Sequence, residues 1–115
     1  MQQVRVTDVQ ALLASFGPEA RPVILDVREP WEVQTASLTM PGVQGVSIVC
    51  IPMREIPQRL AELDATQPIL GLCHHGMRSL QVVAFLEREG HADVYNIAGG
   101  IDAWSREVDT SVPTY

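Results

Sequence analysis

The chain has 115 residues, 46% of them hydrophobic, and a formal charge of −6. This length suits one domain with its own core, so we predict a single domain over residues 1–115. Acids outnumber bases 14 to 8, which argues against nucleic acid or an anionic membrane as the main partner. No apolar run approaches the roughly 20 residues of a membrane helix. Two cysteines are too few for a disulfide scaffold, and the first residues lack the apolar segment of a signal peptide, so we expect a cytoplasmic protein.

The predicted elements alternate between strands and helices. Short apolar runs bounded by polar or proline residues predict strands at 4–6, 23–25, 46–51, 69–72 and 94–97. Apolar stripes at helical spacing predict helices at 9–16, 56–63, 80–86 and 102–107. This alternation predicts an α/β fold, with a parallel β-sheet of about five strands flanked on both faces by helices. We expect the segment from the end of the last predicted helix to Tyr115 to be loosely held.

A polar loop, Cys73-His74-His75-Gly76-Met77-Arg78-Ser79, connects an apolar strand to a helix. In parallel sheets, ligands bind beyond the carboxyl ends of the strands, which is where Cys73 lies. Backbone N–H groups at the start of the helix favour a thiolate and can hold a bound anion. The loop therefore predicts a nucleophilic cysteine, with an inert packed cysteine as the alternative.

The other loop residues have separate expected roles. Gly76 supplies a backbone conformation that a side chain would obstruct. Arg78 screens the thiolate and guides an anionic substrate, or is a surface arginine at a helix start. Ser79 caps the helix or takes part in catalysis. His74 and His75 line the mouth of the site and add positive charge when protonated.

A metal site formed by Cys73, His74 and His75 is disfavoured, because adjacent residues rarely supply two well-angled ligands. We therefore expect no metal and no cofactor. Cys50 lies inside an apolar run and is expected to be a core residue rather than a resolving thiol. Trp31 and Trp104 are expected to pack rather than to bind a ligand.

Three stretches of the chain resemble the signatures of a single-domain rhodanese. They are Leu25-Asp26-Val27-Arg28-Glu29-Pro30-Trp31-Glu32, the Cys73–Ser79 loop, and Asn96-Ile97-Ala98-Gly99-Gly100-Ile101-Asp102-Ala103-Trp104. Ile51-Pro52-Met53 before an amphipathic segment also fits this family. The resemblance implies a sulfurtransferase that passes a sulfane sulfur through a persulfide on Cys73. It also implies that Cys73 is catalytic, that residues 74–79 bind substrate, and that Asp26 and Arg28 brace the loop.

The expected partners are a small sulfur donor such as thiosulfate and a thiol or cyanide acceptor. A protein donor or acceptor would use the same residues. A local salt bridge that holds the turn after the strand is an equally good interpretation of Asp26 and Arg28.

One segment departs from the family pattern. Rhodaneses commonly carry a Gly-His-Ile-Pro-Gly-Ala-like stretch after the Asp-Val-Arg motif. Here residues 35–45 read Thr-Ala-Ser-Leu-Thr-Met-Pro-Gly-Val-Gln-Gly, with Ser37 in place of the usual histidine. We expect this difference to affect the loop geometry and the substrate entrance, and to leave the cysteine loop unchanged.

Three rival functions share this scaffold. A protein-fed sulfur carrier would retain every residue named above, whereas a non-catalytic interaction module usually lacks the cysteine. Related phosphatases and arsenate reductases have a cysteine-to-arginine loop that is one residue longer. Four residues lie between Cys73 and Arg78, and this shorter ring of amides suits a single sulfur atom better than a phosphate.

Overall fold

The computed structural model describes residues 1–38 and 45–115. Within these residues, five parallel strands pair in the order β1-β5-β4-β2-β3. The strands are β1 (Gln2–Arg5), β2 (Val23–Asp26), β3 (Ser47–Cys50), β4 (Ile69–Leu72) and β5 (Val94–Ala98). The α/β fold with a five-stranded parallel sheet is thus as predicted.

The same part of the chain contains four α-helices that connect or follow the strands. They are α1 (Val9–Ser15), α2 (Pro30–Thr35), α3 (Met77–Arg88) and α4 (Gly100–Glu107). No helix of the described chain has the length and apolar character that a membrane crossing requires.

The sheet separates two hydrophobic clusters, because successive side chains of a strand point to opposite faces. Ile24 and Leu70 belong to one cluster, which also holds Val9, Leu13 and Trp104 from the helices α1 and α4. The neighbouring strand residues belong to the other cluster, which includes residues of α3; its strand and helix members are Val23, Leu25, Ile69, Val82, Val83, Leu86 and Val94. Helices therefore cover both faces, as predicted, and Trp104 is a core residue with 1% exposure.

The predicted helix over 56–63 is wrong. Two short 3-10 turns, Met53–Glu55 and Leu60–Glu62, stand there instead. A helix that continued from the turn at Met53 would have Pro57 in its interior, where proline has no N–H to donate and its ring clashes with the carbonyl of Met53. The apolar stripe still packs inward, since Ile56 is buried and Leu60 and Leu63 lie against the second cluster.

The prediction that Cys50 belongs to the core is also wrong. Among the described residues, strand β3 is at the edge of the sheet and pairs with β2 alone. Cys50 is exposed there. An apolar run has the same appearance in a central strand and in an edge strand, so the sequence did not distinguish them.

Candidate active site

Cys73 directly follows β4, which lies between β2 and β5 in the sheet. The carboxyl ends of all three strands therefore surround it. The side chain is 1% exposed, and its Sγ accepts a hydrogen bond from the backbone N–H of Gly76 at 3.0 Å. Helix α3 begins at the next residue, Met77, so the sulfur lies at the positive end of a helix dipole.

The start of α4 holds the backbone of the cysteine loop, residues 73–79. The N–H of Ile101 donates to the carbonyl of Cys73 at 2.9 Å, and the N–H of Asp102 donates to the carbonyl of His74 at 3.0 Å. Gly100 makes this contact possible, because a Cβ there would lie 2.4 Å from the Cys73 carbonyl oxygen. Gly76 has φ +97°, and a Cβ at that position would lie 3.0 Å from the nitrogen of Gly99.

Ser79 does not cap helix α3. Gly76 occupies the N-cap position and no side chain bonds there. The buried Ser79 Oγ lies 2.5 Å from Oδ1 of Asn96 and 3.3 Å from Sγ of Cys73. Asn96 Nδ2 donates to the carbonyl of Gly76 at 3.0 Å and to Gln3 Oε1 at 2.9 Å. Its Oδ1 is thus the acceptor for the Ser79 proton, and Asn96 joins the loop to β5 in a way that the sequence did not reveal.

Arg78 forms a forked ion pair with Glu32 of helix α2. Both hydrogen bonds, from Nη1 to Oε2 and from Nη2 to Oε1, are 2.7 Å long. The Glu32 side chain is 5% exposed and that of Arg78 36%. The hydrogen bonds from Arg78 are the main reason that the pKa of the Glu32 carboxyl falls from 4.5 to about 2. The bonds to Glu32 raise the pKa of Arg78, and a thiolate on the nearby Cys73 would raise the pKa of Arg78 further.

Tyr115 completes the surroundings of Glu32. Its hydroxyl donates to Glu32 Oε1 at 2.9 Å and accepts from Nη1 of Arg28 at 3.1 Å. The expectation of a loosely held tail is therefore wrong. Val112 is also buried in the first cluster, and the Ser105 hydroxyl donates to its carbonyl. We refer to Arg28, Glu32, Arg78 and Tyr115 as the charged cluster.

Asp26 and Arg28 form a buried pair at the end of β2. Nε and Nη2 of Arg28 donate to the two carboxylate oxygens of Asp26 at 2.9 and 2.7 Å. Arg28 also donates to the carbonyl of Glu32 at 3.2 Å. In the described part of the chain, the side-chain hydrogen bonds that Arg28 makes outside the pair go to Glu32 and Tyr115 rather than to residues 73–79. The pair thus holds the turn into α2, and reaches the cysteine loop through Glu32 and Arg78.

The two loop histidines differ in their surroundings. The ring of His74 stacks on Tyr115 with a centroid distance of 3.9 Å and an angle of 6°. The His75 side chain is 61% exposed, and its Nε2 lies 4.0 Å from Oδ2 of Asp102.

Ligand atoms of His74, His75 and Asp102 lie within 4.8 Å of one another. Donors around one tetrahedral zinc ion stand about 3.4 Å apart at its bond lengths, and Asp102 already pairs with Arg106 at 3.0 Å.

An open cavity of about 340 Å³ lies beside Arg78. It is lined by Val27, Glu29, Met53, Arg54, Pro57 and Arg78. Two further apolar side chains are exposed: one belongs to the cysteine loop, and the other contacts Tyr115. Met77 is 68% exposed and Trp31 62% exposed, with the Trp31 ring edge-on to Tyr115 at 5.9 Å. Trp31 therefore packs against Tyr115 at the surface rather than in the core.

The unusual segment 35–45 is described only in part, since residues 39–44 lie outside the described residues. Ser37, which stands where the family has histidine, donates from its hydroxyl to the carbonyl of Val33 at 2.5 Å. This bond satisfies a carbonyl in the last turn of α2, so the Ser37 side chain acts at the end of the preceding helix.

Comparisons with known proteins agree with the geometry. The family model "Rhodanese-like domain" matches residues 7–107. A thiosulfate sulfurtransferase GlpE of Pseudoalteromonas translucida is 34% identical over 82 residues, which is 71% of each chain. The rhodanese-like/PpiC domain-containing protein 12 of Arabidopsis thaliana is 41% identical over 104 residues, 87% of this chain, and this chain spans about a third (32%) of that protein's length.

A solved structure gives the same result for the fold. The crystal structure of a rhodanese-like domain protein from Staphylococcus aureus superimposes with a TM-score of 0.73 at 26% identity, covering 100% of this chain and 99% of that one. The family-model match begins at Thr7, two residues after the end of β1, and ends at Glu107, the last residue of α4. It therefore includes the cysteine loop. The chain belongs to the rhodanese-like domain family, whose relatives include sulfurtransferases.

Proposed function

We propose that this protein is a thiosulfate sulfurtransferase-type enzyme that carries a sulfane sulfur on Cys73. The observation that supports this most directly is the position of Sγ, which is buried and accepts the Gly76 N–H at the start of α3. A negative charge on the sulfur is stabilised by that donor and by the helix dipole. The same donors are available to the outer sulfur of a persulfide.

The reaction has two steps. The Cys73 thiolate attacks the sulfane sulfur of thiosulfate, a new S–S bond forms, and sulfite leaves with the electron pair of the old S–S bond. An acceptor such as cyanide or a thiolate then attacks the outer sulfur of the persulfide. Thiocyanate or a new persulfide leaves, and the Cys73 thiolate is restored. Such covalent catalysis predicts ping-pong kinetics.

Burial helps the second step. Cys73 has 1% exposure, and the contacts from Ile101 and Asp102 fix the loop backbone. Water therefore has little access to the inner sulfur of the persulfide, while an acceptor approaches the outer sulfur. His74 and His75, which we propose as mouth residues, lie on the loop directly after the cysteine.

The test is the intact mass of the protein after incubation with thiosulfate, together with thiocyanate release upon addition of cyanide. Cys50→Ser and Cys73→Ser form a matched pair, because each variant retains one of the two cysteines. We expect one added sulfur, removable by cyanide, in the wild type and in Cys50→Ser. We expect neither the adduct nor thiocyanate in Cys73→Ser.

A folded wild-type protein whose Cys73 thiol reacts with alkylating agents, but which gains no sulfur, would contradict the proposal. An adduct that persists in Cys73→Ser would assign the chemistry to Cys50 instead.

A further inference from the structure

The charge of Arg78 already has a partner in the protein. Both of its terminal nitrogens donate to Glu32 at 2.7 Å, and a forked pair of this kind is the strong form of a charge-assisted hydrogen bond. The low pKa of Glu32, about 2, means that it is a carboxylate at neutral pH. A small anion that approaches Arg78 must therefore compete with an internal anion.

Glu32 is held so that it does not easily give way. Besides the two bonds from Arg78, Oε2 accepts the backbone N–H of Glu29 at 2.8 Å. Oε1 accepts the Tyr115 hydroxyl at 2.9 Å. Each carboxylate oxygen thus has two donors. A movement of Glu32 would leave four partly buried donors without their partner, which is costly.

Tyr115 is itself fixed on three sides. Arg28 donates to its hydroxyl at 3.1 Å, the ring stacks on His74 at 3.9 Å, and Trp31 meets it edge-on. Burial raises the pKa of the Tyr115 phenol, so the hydroxyl stays protonated and remains a donor to Glu32. The Tyr115 hydroxyl, held in place by these contacts, therefore positions the carboxylate that neutralises Arg78.

The other charges around the cavity beside Arg78 are balanced in the same way. Arg54 lies 3.8 Å from Glu29, so each arginine that lines the cavity has a glutamate beside it. The rest of the lining is Val27, Met53 and Pro57. A cavity with balanced charge and apolar walls offers little to a small dianion, and more to a donor that carries less charge and an apolar group.

We propose that Glu32, positioned by Tyr115, determines which donors the enzyme prefers. It compensates the charge of Arg78 and so lowers the preference for small dianionic sulfur donors relative to less charged ones with an apolar group. Glu32 is a specificity-determining residue and Tyr115 is a positioning residue. This inference rests on the proposed sulfurtransferase function.

The first experiment compares two donors, thiosulfate as the dianion and benzenethiosulfonate as the apolar monoanion. The readout is the ratio of their kcat/KM values, which cancels effects common to both donors. We expect Glu32→Gln to raise the thiosulfate-to-benzenethiosulfonate ratio about tenfold, because one negative charge close to the donor is removed. Tyr115→Phe should raise it about threefold, because it loosens Glu32 and leaves the charge in place.

Glu62→Gln is the matched control. Glu62 accepts a forked pair of hydrogen bonds from Arg59 at 2.7 and 2.9 Å on an exposed 3-10 turn. Its replacement changes the net charge by the same amount outside the charged cluster. The donor ratio should stay within about twofold of the wild-type value, since exposed charges are screened by salt.

A second experiment does not require sulfur transfer. In a Cys50→Ser background, the rates at which Cys73 reacts with iodoacetate and with iodoacetamide are compared. Both reagents need the thiolate, so their ratio measures the charge around the sulfur. Glu32→Gln should raise the iodoacetate-to-iodoacetamide ratio about threefold.

An unchanged ratio in both experiments overturns the inference, as does an equal rise in Glu62→Gln. If the wild type transfers no sulfur but the alkylation ratio rises in Glu32→Gln, the proposed function fails and the charge compensation stands. If Glu32→Gln does not fold, Tyr115→Phe decides the question, and an unchanged donor ratio in that variant overturns the role of Tyr115.

Discussion

The two parts of the candidate active site, the cysteine loop and the charged cluster, are built in different ways. The loop is held by backbone atoms, since α4 donates to the carbonyls of Cys73 and His74. The charged cluster is held by side chains far apart along the chain. Glu32 and Arg78 are 46 positions apart, and Glu32 and Tyr115 are 83 apart.

This difference separates two kinds of constraint. Backbone contacts at the loop leave no space for a side chain at Gly100, so substitutions there act on folding. Side-chain contacts in the charged cluster have substitutes of similar shape, so we expect changes there to act on charge and donor preference as well as on stability. Under the proposed function, we expect sulfur chemistry to depend on the loop and the choice of donor to depend on the charged cluster.

Gly100→Ala should have the largest effect of the changes considered. The new Cβ would lie 2.4 Å from the Cys73 carbonyl oxygen and 2.5 Å from that of His74. Overlap with backbone atoms and a left-handed φ should lower the free energy of unfolding by about 3 kcal/mol or more. Urea unfolding at neutral pH measures this loss.

Gly90→Ala is the control for Gly100→Ala. Gly90 also has a positive φ, +100°, but a Cβ there meets nothing within 4 Å. Its replacement should cost only the backbone term, about 1–2 kcal/mol. Equal losses in the two variants would show that the close contact between Gly100 and the loop does not contribute to stability.

Acid should weaken the charged cluster more than the loop. The pKa of Glu32 is about 2 in the folded state and 4.5 in the unfolded state. The unfolded state therefore takes up the proton first as pH falls. The stabilisation, roughly 3 kcal/mol, is complete above pH 4.5 and is lost as pH falls toward about 2. Glu32→Gln should therefore reduce the fall in the free energy of unfolding across this range, measured by urea unfolding between pH 7 and the acid limit. An identical pH dependence in variant and wild type would refute the assignment.

Arg78→Ala tests whether the charged cluster acts on substrates. It removes the cation and leaves Glu32 without its main partner. Use of thiosulfate should fall by tenfold or more, on the order of one charge-assisted pair. Alkylation of Cys73 by neutral iodoacetamide should fall much less. Arg59→Ala, which also removes an arginine paired with glutamates, is the control, and equal losses in both assays would mean that Arg78 mainly maintains the loop.

Cys50→Ser should have the smallest effect. Cys50 is exposed on the edge strand β3, so its replacement should change the free energy of unfolding by less than about 0.5 kcal/mol. Sulfur transfer should stay near the wild-type rate. A large loss of transfer with unchanged stability would instead support a resolving thiol at this position.

Much of the fold was predictable because the relevant signals are local. The buried run 69–72 matches strand β4 residue by residue, since a short apolar stretch bounded by Pro68 and a polar loop leaves few alternatives. The segment 56–63 shows the limit of such a pattern. Its apolar spacing was correct for burial, but Pro57 prevents the turn at Met53–Glu55 from continuing through the segment as a helix.

The sequence by itself determined the order of strands and helices, the position of Cys73 at the end of a strand, and the need for a glycine at position 76 of the loop. These properties depend on residues that are neighbours along the chain. Only the tertiary structure decided that Cys50 lies at an edge, that Asn96 accepts a hydrogen bond from Ser79, and that Glu32 pairs with Arg78 and Tyr115. Pairings between side chains 46 to 83 positions apart leave no periodic signal in a single sequence, because they depend on how parallel strands bring distant loops to one edge of the sheet.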